Sequence, residues 1–302
     1  MANIPTLGAS LYVPATHKNL AHIAVSDLRS VIFCTEDAIS SGDLPTALAI
    51  LKAALPLLPQ VPGSQRFIRV RNLDVLDELL QMPGIERLCG FVVPKATRHN
   101  FPAYFAAVRH TQHLLMPTLE TIEVFDDQEM LLFRACLQQP EVQPRILALR
   151  IGGNDLLALL GIRRPRTLSI YRTPLGLVIA KLATLFRPYG FALTAPVFEH
   201  LDNPGLLAEE LAEDLAHGMV GKTAIHPSQV PLIDEQYRVP HADIEVALRV
   251  MDAAAPAVFK MHDSMCEVAT HSAWAHGVVE RAKIFGVHEG ENAAEIKINL
   301  RA

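Results

Sequence analysis

Short apolar runs rich in β-branched residues recur eight times along this chain, each followed by a segment of helical period. That alternation constrains the fold more than any other feature. The runs are ASLYVP from Ala9, VIFCTED from Val31, RFIRVR from Arg66, GFVVPK from Gly90, HLLMPTLE from His113, RILALRIG from Arg145, FALTAPVF from Phe191 and VGKTAIHP from Val220. Continuous apolar runs suit parallel strands buried on both faces. The clearest helix between them opens at Asn203-Pro204, carries Leu207, Leu211 and Leu215 on one stripe, and closes at His217-Gly218. An Asn cap, a Pro at the first helical position and a C-terminal Gly are the expected asymmetry.

Eight βα units in roughly 240 residues match an α/β fold of the (β/α)8 TIM barrel type. A chain of 302 residues, half of them apolar, can bury such a core, although two smaller domains also fit its length. A doubly wound sheet is the weaker reading, because no G-x-G-x-x-G follows any run. After Pro240 the pattern changes to two helical stripes with no strand expected between them. One holds Ile244, Ala247, Leu248 and Met251, the other Trp274, Val278, Ala282 and Phe285. The expected organisation is a barrel over 1–239 and a C-terminal helical appendage or lid over 240–302, with Trp274 as a packing anchor and the last dozen residues frayed.

Charged residues make up 20% of the chain and the net charge is −5, with no block of like charges, so nothing here offers a footprint for nucleic acid. No apolar run approaches the roughly 20 residues that span a bilayer. MANIPTLGAS has no basic-then-apolar secretion signal, and a cytoplasmic location is expected. Cys34, Cys89, Cys136 and Cys266 are far apart without a C-x-x-C pair, which points to free, mostly buried thiols.

Barrel active sites sit where strands end at their C-terminal side. Polar residues gather there: Glu36-Asp37 after run two, Arg69 and Arg71 in run three, Lys95 ending run four and Glu120 ending run five. Gly152-Gly153-Asn154-Asp155 follows run six, Glu199 and Asp202 follow run seven, and His226 ends run eight. Carboxylates from two adjacent strands point to a hard divalent cation. Mg²⁺, or Mn²⁺ in its place, commonly keeps one or two protein carboxylates and leaves other positions to water and substrate; Glu120 and Asp155 fill that role. Zinc has no basis, since H-E-x-x-H is absent and the 13 histidines lack ligand spacing. An arginine at this rim can grip a substrate carboxylate with its planar fork. Lys95 invites a Schiff-base reading, but an ion pair with a rim carboxylate is preferred. His226 is expected to fix its loop by hydrogen bonding. Gly152 and Gly153 either let backbone approach a ligand or permit a tight turn.

Taken together, SLYVPA at 10, TEDA at 35, IRVRN at 68, VVPK at 92, LET at 119, GGNDLLALLG at 152 and GKTAIHPSQV at 221 resemble the citrate lyase beta-subunit family. That family lies within the HpcH/HpaI aldolase superfamily of phosphoenolpyruvate/pyruvate-type barrels. The resemblance implies that Glu120 and Asp155 bind Mg²⁺ and that Arg69 holds the oxo-acid carboxylate. It places Glu36 and Asp37 near the metal and its waters. It also implies lyase chemistry on malyl-, citramalyl- or citryl-type thioesters, and a homo-oligomer, trimer or hexamer, whose C-terminal helices close over a neighbouring subunit's site.

Several stretches depart from the family pattern. D-L-E-D reads Cys34-Thr35-Glu36-Asp37, E-T-A-R-G reads Glu120-Thr121-Ile122-Glu123-Val124, and I-D-G-V reads Thr194-Ala195-Pro196-Val197. M-I-D-x-P becomes Met265-Cys266-Glu267-Val268-Ala269, with Glu267 the candidate to replace the lost acid. The expected function is a Mg²⁺-dependent carbon–carbon lyase acting beside a 2-oxo acid such as oxaloacetate, pyruvate or glyoxylate. Its catalytic groups would be Glu36, Asp37 and Arg69, its substrate contacts Arg69, Gly152, Gly153 and Asn154, and its substrate a free acid or a hydroxyacyl-CoA thioester. The alternative is a degenerate barrel that binds metal or metabolite as a regulatory or complex-forming subunit.

Overall fold

The eight runs pair as parallel strands. The computed structural model describes residues 7–24, 26, 28–58 and 63–288, so the expected fraying of the last dozen residues lies outside the described part. The strands are β1 (Gly8–Pro14), β2 (Ser30–Cys34), β3 (Gln65–Arg69), β4 (Gly90–Val93), β5 (Leu114–Leu119), β6 (Leu149–Ile151), β7 (Leu193–Thr194) and β8 (Gly221–Ala224). They form one sheet in the order β7-β6-β5-β4-β3-β2-β1-β8. The two ends of that order meet. The Val220 amide donates to the Leu193 carbonyl at 2.8 Å and the Ala195 amide to the Gly221 carbonyl at 2.8 Å, which brings the sheet round into a barrel. β6 and β7 are much shorter than their runs. A 3₁₀ turn at Gln143–Arg145 precedes β6, and Pro196, which has no N–H to give a ladder, follows β7.

Each strand segment gives one residue to a buried apolar cluster: Leu7, Ile32, Phe67, Val92, Met116, Ala148, Ala192 and Val220. Bulky side chains of this kind make a barrel interior a packed core rather than a pore. The helices after the strands are α1 (Leu20–Ala24), α2 (Leu44–Ala54), α3 (Leu73–Leu80), α4 (Phe101–Val108), α5 (Asp127–Leu137), α6 (Gly153–Leu159), α7 (Pro174–Phe186) and α8 (Pro204–Ala216). Side-chain caps start several of them. Asn72 accepts from the Val75 amide at 3.0 Å, Asp126 from Gln128 at 2.8 Å, and Asn203 from Leu206 at 3.1 Å. α8 closes at Gly218 with φ +73°, as its sequence signature requires. This barrel unit covers 7–230.

The chain from Pro231 forms a second compact unit, ahead of the Pro240 at which the sequence pattern changes. α9 (Gln229–Gln236) leads into it, followed by α10 (His241–Met251), β9 (Val258–Met261), β10 (Ser264–Glu267) and α11 (Val268–Phe285). The β9–β10 hairpin corrects the expectation that the two helices have no strand between them. Its turn is His262-Asp263, with φ +48° and +57°, two positive-φ positions without the Asn-Gly or Gly that usually announces such a turn. Of the expected stripes, Ile244, Ala247, Val278 and Ala282 are buried with Leu248 packed against them, whereas Met251 and Trp274 are not. Ile244, Ala247 and Val250 are buried on α10, and Ala275, Val278, Val279 and Ala282 on α11. Met251 and Trp274 are each 42% exposed, so Trp274 is not a buried anchor. Among the described residues, no helix is long and apolar enough to cross a membrane. The four cysteines are unpaired; Cys34 and Cys266 are buried, Cys89 and Cys136 half-buried.

Candidate active site

The acidic turn after β2 is built by its neighbour β3. The Thr35 amide and hydroxyl both donate to the Arg69 carbonyl, at 3.0 and 2.8 Å. Arg71 takes the remaining carbonyls: its Nε donates to Thr35 at 3.0 Å, and its Nη2 to Glu36 at 3.0 Å and Ile39 at 2.8 Å. A planar guanidinium satisfying three carbonyls fixes the turn that carries Glu36 and Asp37.

Arg69 ends β3 and is 9% exposed. Its Nη2 lies 2.7 Å from Glu36, 3.1 Å from Asp37 and 3.2 Å from Glu120. Burial works against its charge, but the surrounding acids, Glu120 and Glu36 among them, hold its pKa above the ordinary arginine value. Lys95 adopts φ +48°, uncommon for a residue with a side chain. That conformation aims both its ends at acids: its amide donates to Glu120 Oε1 at 2.8 Å and its ammonium to Glu36 Oε1 at 2.6 Å. Burial lowers the pKa of Lys95, and its hydrogen bond to Glu36, with the charges of Glu36, Asp37 and Glu120, more than restores it. The expected ion pair is therefore present, and a raised pKa leaves little free amine for Schiff-base chemistry.

Burial pushes the Glu120 carboxyl up to about 7, against Arg69 and the Lys95 amide, with the charges of Asp155 and Glu36 pushing further. Glu120 Oε1 is occupied by Lys95 and Arg69, whereas Oε2 has no hydrogen-bond partner among the described residues. Asp155, half-buried in the first turn of α6, likewise has no protein partner among them. Both carboxylates line one cavity of about 300 Å³, together with Asp37, Arg69, Gly152, Gly153 and Asn154.

The two glycines are there for space. Gly152 has φ −83°, which any residue can adopt, but a Cβ there would sit 2.3 Å from Glu120 Oε2. One on Gly153 would sit 2.7 Å from Pro196. The tight-turn reading is thus not needed.

Glu36 stands behind the cavity wall, both oxygens engaged by cations, while Asp37 reaches the cavity. Burial and its hydrogen bond with Asp37 raise the pKa of Glu36 against Arg69 and Lys95. For Asp37, burial is outweighed by the Glu36 hydrogen bond and the charges of Arg69 and Lys95, and its pKa is lowered. The other rim residues do not line this cavity. Glu199 faces Arg163 at 3.7 Å, Asp202 pairs with Arg166 at 2.6 Å, and His226 Nδ1 meets the Ser228 hydroxyl at 2.8 Å, fixing its loop. Glu267 belongs to the second unit, where its carboxylate accepts from the Thr270 hydroxyl at 3.3 Å.

Arg71, and a row of polar residues deeper in the barrel, had no role assigned from sequence. Tyr12, Thr118, Arg150 and Thr223 all line the cavity. On the outer side of β8, Lys222 is buried between Glu210 and Asp214 of α8, at 2.9 Å from each, and Arg164 reaches Glu210 at 2.6 Å. This network lies away from the cavity.

Comparison with known proteins places this geometry. A (3S)-malyl-CoA thioesterase of Cereibacter sphaeroides is 28% identical over 250 residues, covering 80% of this chain and 81% of its own. The structure of CitE from Mycobacterium tuberculosis in complex with magnesium, acetoacetate and coenzyme A superposes with a TM-score of 0.68 at 20% identity, covering 93% of this chain and 99% of its own. The same organism's citrate lyase beta subunit complexed with oxaloacetate and magnesium gives 0.60 at 20% identity, over 79% of this chain and all of its own (100%). RipC from Yersinia pestis gives 0.62 at 18% identity, over 80% of this chain and 100% of its own. These likenesses carry the fold. A family described as C-C bond lyase of the TIM-barrel fold matches residues 2–287. With nearly the whole length matched, the chain belongs to the C–C bond lyase family of the TIM-barrel fold.

Proposed function

We propose that this chain is a Mg²⁺-dependent lyase that makes or breaks the carbon–carbon bond next to a 2-oxo acid, with a hydroxyacyl-CoA thioester as the substrate cleaved. The observation that carries the reading is the pair Glu120 and Asp155: two carboxylates on one cavity, close enough that the charge of Asp155 disfavours that of Glu120, each with oxygen left unpartnered. A dication relieves that repulsion, and two carboxylates are within the number Mg²⁺ takes from a protein. Among the described residues no three His, Cys, Asp or Glu side chains converge as a closed cage, so water and substrate would complete the shell. The related structures complexed with magnesium, with oxaloacetate and with coenzyme A support the same assignment.

Bound between Glu120 and Asp155, Mg²⁺ would supply Lewis acidity toward the carbonyl or hydroxyl oxygen of the oxo-acid fragment. The chain's own residues do the rest. Arg69, whose Nη1 has no partner among the described residues, faces the cavity and neutralises the substrate carboxylate. Asp37, whose pKa is lowered, orients water or carries a proton at the cavity wall. Glu36 is a positioning residue, holding Arg69 and Lys95 in place. Gly152, Gly153 and Asn154 form the wall along which the substrate lies. A homo-oligomer, with Glu267 serving a neighbouring copy, and a cytoplasmic location belong to the same proposal.

Asp155→Ala should abolish Mg²⁺ binding and turnover together; full activity in that variant would end the reading. The names of the sequence relatives favour a second chemistry, hydrolysis of the thioester. Products separate the two: a lyase releases a 2-oxo acid and an acyl thioester, a thioesterase a hydroxy acid and free thiol. Metal binding with neither product would mark a regulatory barrel.

A further inference from the structure

The barrel interior holds a second cation below the acidic rim. Arg150 lies on β6, register-paired with Thr118 of β5 on one side and Thr194 of β7 on the other. Register partners in parallel strands put their side chains on the same face, so the three form one row. Thr118 lies two residues before Glu120 and Arg150 two before Gly152, which sets this row about 7 Å deeper than the acidic pair.

Arg150 is 3% exposed, yet it lines the cavity. Its neighbours are neutral: Nη2 donates to the Thr223 hydroxyl, Nη1 points at Met116 Sδ at 3.9 Å, and the guanidinium lies 5.4 Å from the Tyr12 ring centre. Tyr12 is a phenol whose pKa burial raises further, so it supplies no anion. Among the described residues no carboxylate pairs with Arg150, in contrast to Arg69 with three. The hydroxyls of Thr118 and Thr194, 5% and 1% exposed, have no hydrogen-bond partner. A buried guanidinium without a counter-anion, flanked by two unspent hydroxyls, is unfavourable unless a ligand completes it.

We propose that Arg150, with Thr118 beside it on the cavity wall, seats a second carboxylate of the substrate. The oxo-acid fragment handled by this chain is then a dicarboxylate, with one carboxylate at the acidic rim and the other on the barrel floor. This rests on the oxo-acid reading of the cavity. Arg150 is thereby a specificity residue, rejecting fragments that leave its charge unmet.

The test is direct binding by calorimetry to the full chain with Mg²⁺, using oxaloacetate, pyruvate and inorganic phosphate as separate ligands. Wild type should bind oxaloacetate about 10- to 100-fold more tightly than pyruvate, the value of a charged hydrogen bond. Arg150→Met should erase that preference and leave pyruvate binding unchanged. Thr118→Val, a smaller change that keeps shape and charge, should weaken oxaloacetate about 2- to 10-fold and spare pyruvate, which keeps the test decisive if Arg150→Met does not fold. Equal affinity of wild type for the two oxo acids overturns the second seat alone. Phosphate displacing oxaloacetate, with its own affinity lost in the Arg150 and Thr118 variants, assigns the seat to a free anion and also overturns the proposal. If neither oxo acid binds, the oxo-acid reading itself has failed.

Discussion

Gly152→Ala isolates the placement of Glu120 without touching any ionisable group. The backbone at 152, φ −83°, accepts alanine, so the substitution carries no conformational strain. Its Cβ, however, would lie 2.3 Å from Glu120 Oε2 and 2.4 Å from Glu120 Cβ. Ordinary contact between such atoms is roughly 3.5 Å, so Glu120 must retreat by about 1 Å. It is held on the far side by the Lys95 amide at 2.8 Å and Arg69 at 3.2 Å, and a retreat of that size breaks or bends one of these. A hydrogen bond to a charged group contributes about 1.5–3 kcal/mol, which corresponds to a fall of about 10- to 100-fold in kcat/KM. The assay is steady-state cleavage of a hydroxyacyl-CoA thioester, with Mg²⁺ titrated and thermal unfolding followed in parallel. Gly205→Ala serves as the control, because a Cβ there meets nothing within 4 Å. Gly152→Ala within about twofold of wild type in kcat/KM, with unchanged Mg²⁺ dependence, would refute the claim that this glycine exists to admit Glu120.

Two further expectations concern stability. Lys222→Met strands Glu210 and Asp214, fully buried, leaving Arg164 and the Ile170 amide on the first and the Tyr171 hydroxyl on the second; breaking a buried pair costs about 3–5 kcal/mol, which lowers Tm by about 6–20 °C by calorimetry. A shift under about 2 °C would mean that the trio is already neutral. His113 is buried with Nε2 2.8 Å from the Ile85 carbonyl, and burial, helped by the charge of Arg145, depresses its pKa against that hydrogen bond. Because the unfolded state then takes up the proton first, the contribution of His113 is fully present above about pH 6.5 and is lost as pH falls toward the folded value. Denaturant titrations should show His113→Gln with a flatter stability profile from about pH 7.5 to 5 than wild type, and parallel profiles would contradict it.

Much of the barrel is legible in the sequence because each strand is buried on both faces and so reads as an unbroken apolar run. The same property conceals Arg150. In a run with no alternation, nothing distinguishes a residue facing the barrel interior from one facing the helices, and RILALRIG reads simply as a strand. Glu210 and Asp214 were hidden differently: on α8 they resemble the solvated face of an amphipathic helix, and only the buried Lys222 across from them shows otherwise. Glu120 and Asp155 could be picked out because Glu120 ends its run at the rim and Asp155 follows the next run within a few residues. That Glu36 is engaged by two cations, leaving Asp37 to face the cavity, depends on Lys95 at φ +48°, which no residue type announces. The hairpin at His262-Asp263 escaped for the same reason.

The way Arg71 holds the Thr35–Ile39 turn bears on how this barrel can be taken apart. The acids are written in one βα module but anchored by the next, so the two are not interchangeable parts. A chimera that imports 30–57 from a relative without its own partner to the following strand would carry the carboxylates yet leave them untethered. Recombination points for such hybrids belong outside the span from β2 to Arg71.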